Sequence, residues 1–365
     1  MNSFESHPQA DPVRRVLLVL RMEHSFAREI ARGLVEHRRT IKKGRWLLYH
    51  REPHRDGFAP DDYDGVFACL GDEEPATQRL LAGHTPCIAV SNSPTGDPWP
   101  LVTLDDHAVG RTAARHFLDK GYQRLAFVGE PSRFAGERFA GFRDELQREG
   151  IEPERFSSEL PADWLHGVPK PAALFAANDV QGQSQLNRCM TEGIRVPEEI
   201  AVLGVDNDDL LCETSDPPLS SVVTPHRRVG RRAAEFLAKR MKGEETPPLS
   251  RFPPGPIVER ASSNALAVDD PLVQRAVALI RERLDQTMNI AELTRDLGVA
   301  RRTLESHFQR ALGRTPLQVL HTHRLMRAVS LLIETDWTIK RIAEECGYAT
   351  PPRLNDAFHR HLGRT

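Results

Sequence analysis

The chain of 365 residues carries 49 Lys and Arg against 51 Asp and Glu, a formal charge of −2, with 39% hydrophobic and 27% charged residues. That length predicts two or three domains, and the composition excludes wholesale disorder. No stretch approaches the roughly 18 apolar residues of a membrane span, and the opening "MNSFESHPQADPVRR" lacks the apolar core of a secretory signal, so a cytoplasmic protein without a membrane partner is expected.

From Val13 to about Asp206, short apolar runs alternate with amphipathic segments. "VRRVLLVL" predicts a buried strand leading into the helix "HSFAREIARGLVEHRR", where Phe26, Ile30, Leu34 and Val35 recur at helical spacing. "RWLLYH", "DGVFACL" and "CIAVSN" follow as strands, with a helix in "EPATQRLLAG" before the last. "LVTLDD" then leads into "HAVGRTAARHFLDKG", "RLAFVGE" into "RFAGERFAGFRDELQREG", and "AALFAAND" into "VQGQSQLNRCMTEG". "IAVLGVDND" closes the series. Strands alternating with helices predict βαβ units and parallel sheets, and so many repeats predict two doubly wound lobes. The segment from Gly150 to Trp164 is short, as though a strand and part of a helix were trimmed.

"TPPLSRFPPGPIVERASSNALAVDD" is rich in Pro, Gly and Ser and ends the alternation. It places an α/β domain at residues 13–259, a linker at 260–268 and a second domain at 269–365 in which every periodic segment is helical. From Asp269 onward there are 15 Lys and Arg against 12 Asp and Glu, and 34 against 39 in the rest. A basic end beside an acidic body is a mild sign of nucleic-acid binding. The cysteines (Cys69, Cys87, Cys189, Cys212 and Cys346) are scattered and form no CxxC pair, so they read as small core residues in a reducing compartment.

The helical part repeats itself. "IAELTRDLGVARRTLESHF" from Ile290 and "IKRIAEECGYATPPRLNDAF" from Ile339 superpose Ile290 on Ile339, Leu293 on Ile342, Leu297 on Cys346 and Gly298 on Gly347. Leu304 and Phe308 then meet Leu354 and Phe358 after a one-residue slip. Each copy predicts two short helices joined by a Gly-containing turn, with Gly298 in the left-handed conformation that ends the first. In a helix-turn-helix the second helix enters the major groove. Its outward residues are Arg301, Arg302, Glu305 and Ser306 in the first copy, and Arg353, Asn355 and Asp356 in the second. Arg suits guanine edges or phosphates, and Glu accepts from cytosine. Pro351 and Pro352 sit at a helix start, where no amide donor is needed. A hairpin used only for packing explains one copy, but two copies joined by the helical "PLQVLHTHRLMRAVSLLIET" suit successive major grooves, roughly 34 Å apart.

From about Pro271 onward the chain resembles the AraC/XylS family of transcription regulators. The resemblance rests on "IAELTRDLGVARRTLESHFQRALGRTP", "RLMRAVSLLIET", "IKRIAEECGY" and the "F-x-x-x-x-G" of "FHRHLG". Departures are the Pro pair and a short segment after Gly363. The resemblance implies double-stranded DNA, as promoter half-sites, as a partner.

The α/β part, from about Val16 to Ala261, resembles the LacI/GalR regulators and periplasmic sugar-binding proteins, without the headpiece that precedes the fold in LacI relatives. The matching stretches are "VTLDDHAVGRTAARHFLDKGYQRLAFVG", "ERFAGFRDEL", "PAALFAANDVQGQ", "PEEIAVLGVDND", "DPPLSSV" and "GRRAAEFLAKRMKGE". This implies two lobes joined by three crossings with a sugar effector in the cleft, and it places Asp105, Arg138, Asn178 and Asp206 on effector-binding positions. Ser25 and Arg28, near the end of the first strand, are further candidates. Each has a plainer alternative as a helix cap or hinge hydrogen bond: Asp206 as a cap, and Arg138 as a partner of Glu137 or of a surface acid. The order of sensor and reader is similar to that of the xylose-operon regulators, which implies an activator with D-xylose as the first ligand, a homodimer, and RNA polymerase as a partner if the protein activates; the alternatives are a regulator or repressor responding to another sugar or sugar derivative, and a sugar-binding module without a regulatory role.

The expected fold class is therefore a two-lobed α/β periplasmic-binding-protein-like sensor followed by an all-α domain with two helix-turn-helix motifs. Against an enzyme, the chain has no GxGxxG after a strand, no GxxxxGK[ST], no GxSxG and no HExxH. No cofactor or metal is expected, and His321 and His323 on the spacer helix point to different faces.

Overall fold

The computed structural model describes residues 13–41, 45–52, 58–69, 75–91, 99–268, 270–286, 288–335 and 337–362. Two compact units emerge: Met1–Asp106 with Thr224–Pro254, and His107–Val223 with Gly255–Thr365. The chain thus passes between them three times, after Asp106, Val223 and Pro254.

The first unit is built on strands β1 (Val13–Val19), β2 (Arg45–Arg51), β3 (Gly65–Ala68), β4 (Cys87–Val90) and β5 (Leu101–Leu104), with helices α1 (Ser25–Thr40), α2 (Pro75–Ala82) and the start of α3 (Asp106–Leu118). The second unit carries β6 (Leu125–Val128), α4 (Arg133–Gln147), β7 (Glu154–Phe156), α5 (Ala162–Gly167), β8 (Ala172–Ala176), α6 (Asp179–Thr191), β9 (Ile200–Asp206), α7 (Asp209–Thr214) and β10 (Ser220–Val223). The chain then returns to the first unit for α8 (His226–Arg240) and β11 (Leu249–Phe252), and re-enters the second at β12 (Ile257–Val258). The first sheet has the order β11-β5-β4-β3-β1-β2 and the second β12-β10-β9-β8-β6-β7. Among the described residues every pairing is parallel except β10 with β12.

Parallel strands covered on both faces need apolar side chains at every position. β3, β4, β6 and β8 are buried throughout. The alternation does not close at Asp206 as the sequence suggested: β10, α8, β11 and β12 complete both sheets. The segment from Gly150 to Trp164 is also not stripped of its strand, because β7 pairs with β6 at the edge of the second sheet.

Two helix crossings fix the layers. In the first unit a Cβ on Gly33 would lie 2.0 Å from Arg227 O, and one on Gly230 1.9 Å from Ile30 O, so α1 and α8 touch backbone to backbone. In the second unit Gly110 and Gly141 do the same for α3 and α4, with 1.9 Å to Arg138 O and to His107 O respectively. Only glycine permits this approach.

The segment expected as a linker is ordered. Ser262 and Ser263 are fully buried in a 3-10 turn at Ala261–Ser263, Ala267 packs on the core of the second sheet, and Val268 packs into the helical part. That part comprises α9 (Pro271–Glu282), α10 (Ile290–Leu297), α11 (Arg301–Leu312), α12 (Pro316–Glu334), α13 (Ile339–Glu345) and α14 (Pro351–Leu362). α10 opens with a capping box between Asn289 and Glu292 and ends at Gly298, with φ 69°. α12 opens with a second box between Thr315 and Gln318. The expected boundary residue Asp269 and the segment after Leu362 lie outside the described residues. No helix among the described residues is long and apolar enough to cross a membrane.

Candidate effector and DNA-binding sites

β6, β8 and β9 are neighbours in the second sheet, and three candidates lie at or beyond their carboxyl ends, where α/β sheets place ligands. Arg138 projects from α4, only 4% exposed. Its Nη1 donates to Ala177 O, its guanidinium lies 4.9 Å from the Phe134 ring centroid, and its Nη2 stands 4.0 Å from Asp206 Oδ1. Asp206, rather than Glu137, is thus its carboxylate neighbour. Asn178 is the N-cap of α6, its Oδ1 accepting from Gln181 N at 2.9 Å, a cap that uses only the oxygen of the amide. Asp206 is not a cap, because Asp208 fills that role for α7.

Asp206 and Asn207 have φ of 110° and 50°, a region that side chains rarely adopt. Such backbone persists only where its surroundings impose it. Here Asp179 imposes it. Its Oδ2 accepts from Asp208 N at 2.8 Å, and its Oδ1 lies 2.6 Å from Ser221 Oγ, which in turn accepts from Asn207 N at 2.9 Å. Burial, and then the nearby Asp206, push the Asp179 carboxyl well above the usual range. Room for it exists because residue 204 is glycine: a Cβ there would lie 2.2 Å from Asp179 Oδ1. Sequence reasoning missed Asp179. The available signal was Gly204 itself, since a glycine inside a strand marks a close approach.

In the first unit Asp105 follows β5, its backbone N donating to Phe252 O at 2.8 Å. Ser25 opens α1. Arg28 is exposed and turns back on the preceding loop, donating to Met22 O at 2.9 Å and Glu23 O at 2.7 Å. β3 and β4 separate β1 from β5, so Ser25 and Arg28 stand at the β1 end of this sheet's strand order and Asp105 follows β5.

In the helical part Leu304 and Phe308 of α11 are fully buried against Leu293 and Leu297 of α10. That leaves Arg301, Arg302 and Ser306 exposed and Glu305 half-buried. Arg301 Nε donates to Glu305 Oε1 at 2.8 Å, one helical turn on. In α14 Leu354 is buried while Arg353, Asn355 and Asp356 are exposed. Both second helices therefore present polar residues on the side away from their cores, as a reading helix requires. Among the described residues no group of three or more His, Cys, Asp or Glu could hold a metal ion.

Residues 114–263 match the periplasmic binding protein-like domain family, and residues 293–365 match a helix-turn-helix domain family. The chain is 30% identical to the xylose operon regulatory protein of Escherichia coli (strain K12), over 96% of this chain and 95% of that one. It is 27% identical to the xylose operon regulatory protein of Haemophilus influenzae, covering 96% of each. Among solved structures, the xylose-binding transcription activator XylR superposes with a TM-score of 0.63 at 27% identity, covering 97% of this chain and 96% of that one. These relatives are regulators and not enzymes. The chain therefore belongs to the xylose operon regulatory protein family, sugar-sensing transcription regulators in which a periplasmic-binding-protein-like domain precedes an AraC-type DNA-binding domain.

Proposed function

We propose that this protein is a cytoplasmic, homodimeric activator of a pentose-utilisation operon whose effector is D-xylose. The observation that carries the reading is the convergence of Arg138, Asn178 and Asp206 at neighbouring strand ends, with Arg138 Nη2 4.0 Å from Asp206 Oδ1. A carboxylate, a guanidinium and an amide supply paired acceptors and donors for vicinal hydroxyls and demand no charge of the ligand. Asp105, Ser25 and Arg28 are proposed as further effector contacts. The effector domain spans residues 13–259, residues 260–268 connect it, and residues 269–365 read DNA. Arg301, Arg302, Glu305 and Ser306 contact one half-site element, and Arg353, Asn355 and Asp356 the next. α12, with 19 residues, is about 28 Å long, a spacer suited to one turn of duplex. Sugar binding shifts how two sensor domains pair, re-aims the readers on repeated half-sites and lets the complex contact RNA polymerase.

A thermal-shift series with D-xylose, other pentoses and hexoses tests this reading. D-xylose is expected to raise Tm, by the equivalent of about 2.7 kcal/mol at a hundredfold excess over Kd. Asp206→Ala or Arg138→Ala should weaken binding roughly tenfold to a hundredfold, as loss of a charged hydrogen bond does. No shift with any sugar would sink the assignment of the effector.

A further inference from the structure

Glu259 and Arg260 follow β12 in extended backbone, Arg260 having φ −120° and ψ −167°. Successive side chains of an extended chain point to opposite sides, and these two take partners in different parts of the second unit. Arg260 reaches the turn after β9. Its Nη1 donates to Asn207 Oδ1 at 2.9 Å and to Leu219 O at 3.1 Å, and its Nε to Glu213 Oε1 at 2.8 Å. Glu259 reaches the DNA-reading part. Its Oε1 accepts from Arg281 Nη2 of α9 at 3.2 Å, and its Oε2 lies 2.9 Å from Lys120 Nζ. The other terminal nitrogen of Arg281 donates to Asn264 O.

The chain between these two heads is held tightly. Ser220 Oγ accepts from Arg260 N at 2.8 Å and donates to Arg260 O at 3.0 Å. Ser262 Oγ donates to Val202 O at 2.7 Å. Beyond Arg281, α9 shares one core with α10 and α11: Val273, Val277 and Ile280 pack with Leu293, Leu304 and Phe308. A change at Asn207 therefore has a continuous packed route to the first reading helix. Lys120 is 7% exposed at its side chain, and a buried charge stripped of its partner is costly, so the joint resists opening.

We propose that Glu259 and Arg260 form a two-headed relay that transmits the state of the Asp206–Asp208 turn to α9 and through it to the first helix-turn-helix. The sensing role of the relay rests on the proposed reading of Asp206 as an effector contact. Its mechanical role does not. The difference lies in what each arm of one experiment reads.

Hydrogen exchange of the α9 amides is followed in the full chain, first without sugar. Asn207→Gly removes the oxygen that Arg260 holds while tolerating φ 50°. It should speed α9 exchange about threefold or more, and should do nothing further once Glu259→Gln or Arg281→Gln has opened the joint. Two joint variants are used because either alone risks unfolding α9. Unchanged α9 exchange in Asn207→Gly, or an effect that persists undiminished in both joint variants, overturns the relay. In the second arm D-xylose is added. Exchange should change at 206–208 and in α9 of the parent chain, but only at 206–208 in Glu259→Gln. An equal α9 response in both overturns the relay. If D-xylose alters neither region in any chain, the xylose reading fails by itself and the sugar-free arm decides the relay.

Discussion

At the scale of single residues, the turn after β9 sets two demands against each other. Asp206 carries φ 110°, which costs on the order of 1–3 kcal/mol, and it sits beside the buried carboxyl of Asp179. Asp206→Gly relieves both, so it should raise Tm while abolishing the response to sugar, the expected trade at a strained functional site. A lowered Tm would mean that the pair with Arg138 outweighs the strain. Asp179 allows a pH test. Its folded pKa is raised, so the folded state holds a proton that the unfolded chain releases. Its contribution is full below the ordinary carboxylate pKa and declines as pH rises through the raised value. Asp179→Asn fixes the neutral form. Between pH 4 and 9 the Tm of the variant relative to the parent should therefore climb. A gap that narrows with pH would mean that its hydrogen-bond donors hold Asp179 as a carboxylate.

At the scale of elements, α4 contributes Arg138, and its position is set by glycine. A methyl on Gly110 would lie 1.9 Å from Arg138 O, so Gly110→Ala must push α4 off α3. It should lower Tm and weaken sugar binding together, since the guanidinium moves with its backbone. Gly136 lies in the same helix with nothing within 4 Å of an added Cβ. Gly136→Ala should instead stabilise by about 0.5–1 kcal/mol and leave sugar affinity unchanged. Equal effects in the two variants would refute a packing origin. The helix-turn-helix offers a simpler case, because Asn289→Ala breaks the capping box of α10 and should cost about 1 kcal/mol. Legibility in the sequence follows the same physics. β1, β3, β4, β6, β8 and β9 read plainly because strands buried on both faces must be apolar runs. β10 was missed because Ser220 and Ser221, though fully buried, have hydroxyls satisfied by Arg260 and Asp179, partners that local pattern cannot reveal. β12 is two residues long and too short to register. Asp179 was hidden for the same reason: Gly204, Asp208 and Ser221 give it meaning, and only the fold brings them to it.

At the scale of the whole molecule, the domain order was legible because the reader repeats its own pattern and the sensor repeats βαβ units. Its charge distribution has a further consequence. From Asp269 onward there are 15 Lys and Arg against 12 Asp and Glu, and the remainder has 34 against 39. A reader with so small a positive excess, attached to an acidic body, gains little long-range attraction to DNA. Affinity then depends on a few placed arginines, each of which releases about one counterion on meeting a phosphate. Arg302 is exposed on α11, while Arg301 is partly occupied by Glu305 at 2.8 Å. If Arg302 meets a phosphate, Arg302→Ala should weaken binding about evenly across sequences and reduce the slope of log K against log salt by about 1. Glu305→Gln should free Arg301 and tighten binding to all sequences while lowering discrimination wherever Glu305 reads a cytosine. Filter binding from 50 to 200 mM salt on specific and scrambled duplexes separates these outcomes. A loss in Arg302→Ala confined to one duplex, with the slope unchanged, would make Arg302 a reader of bases and leave the phosphate contact to Arg301.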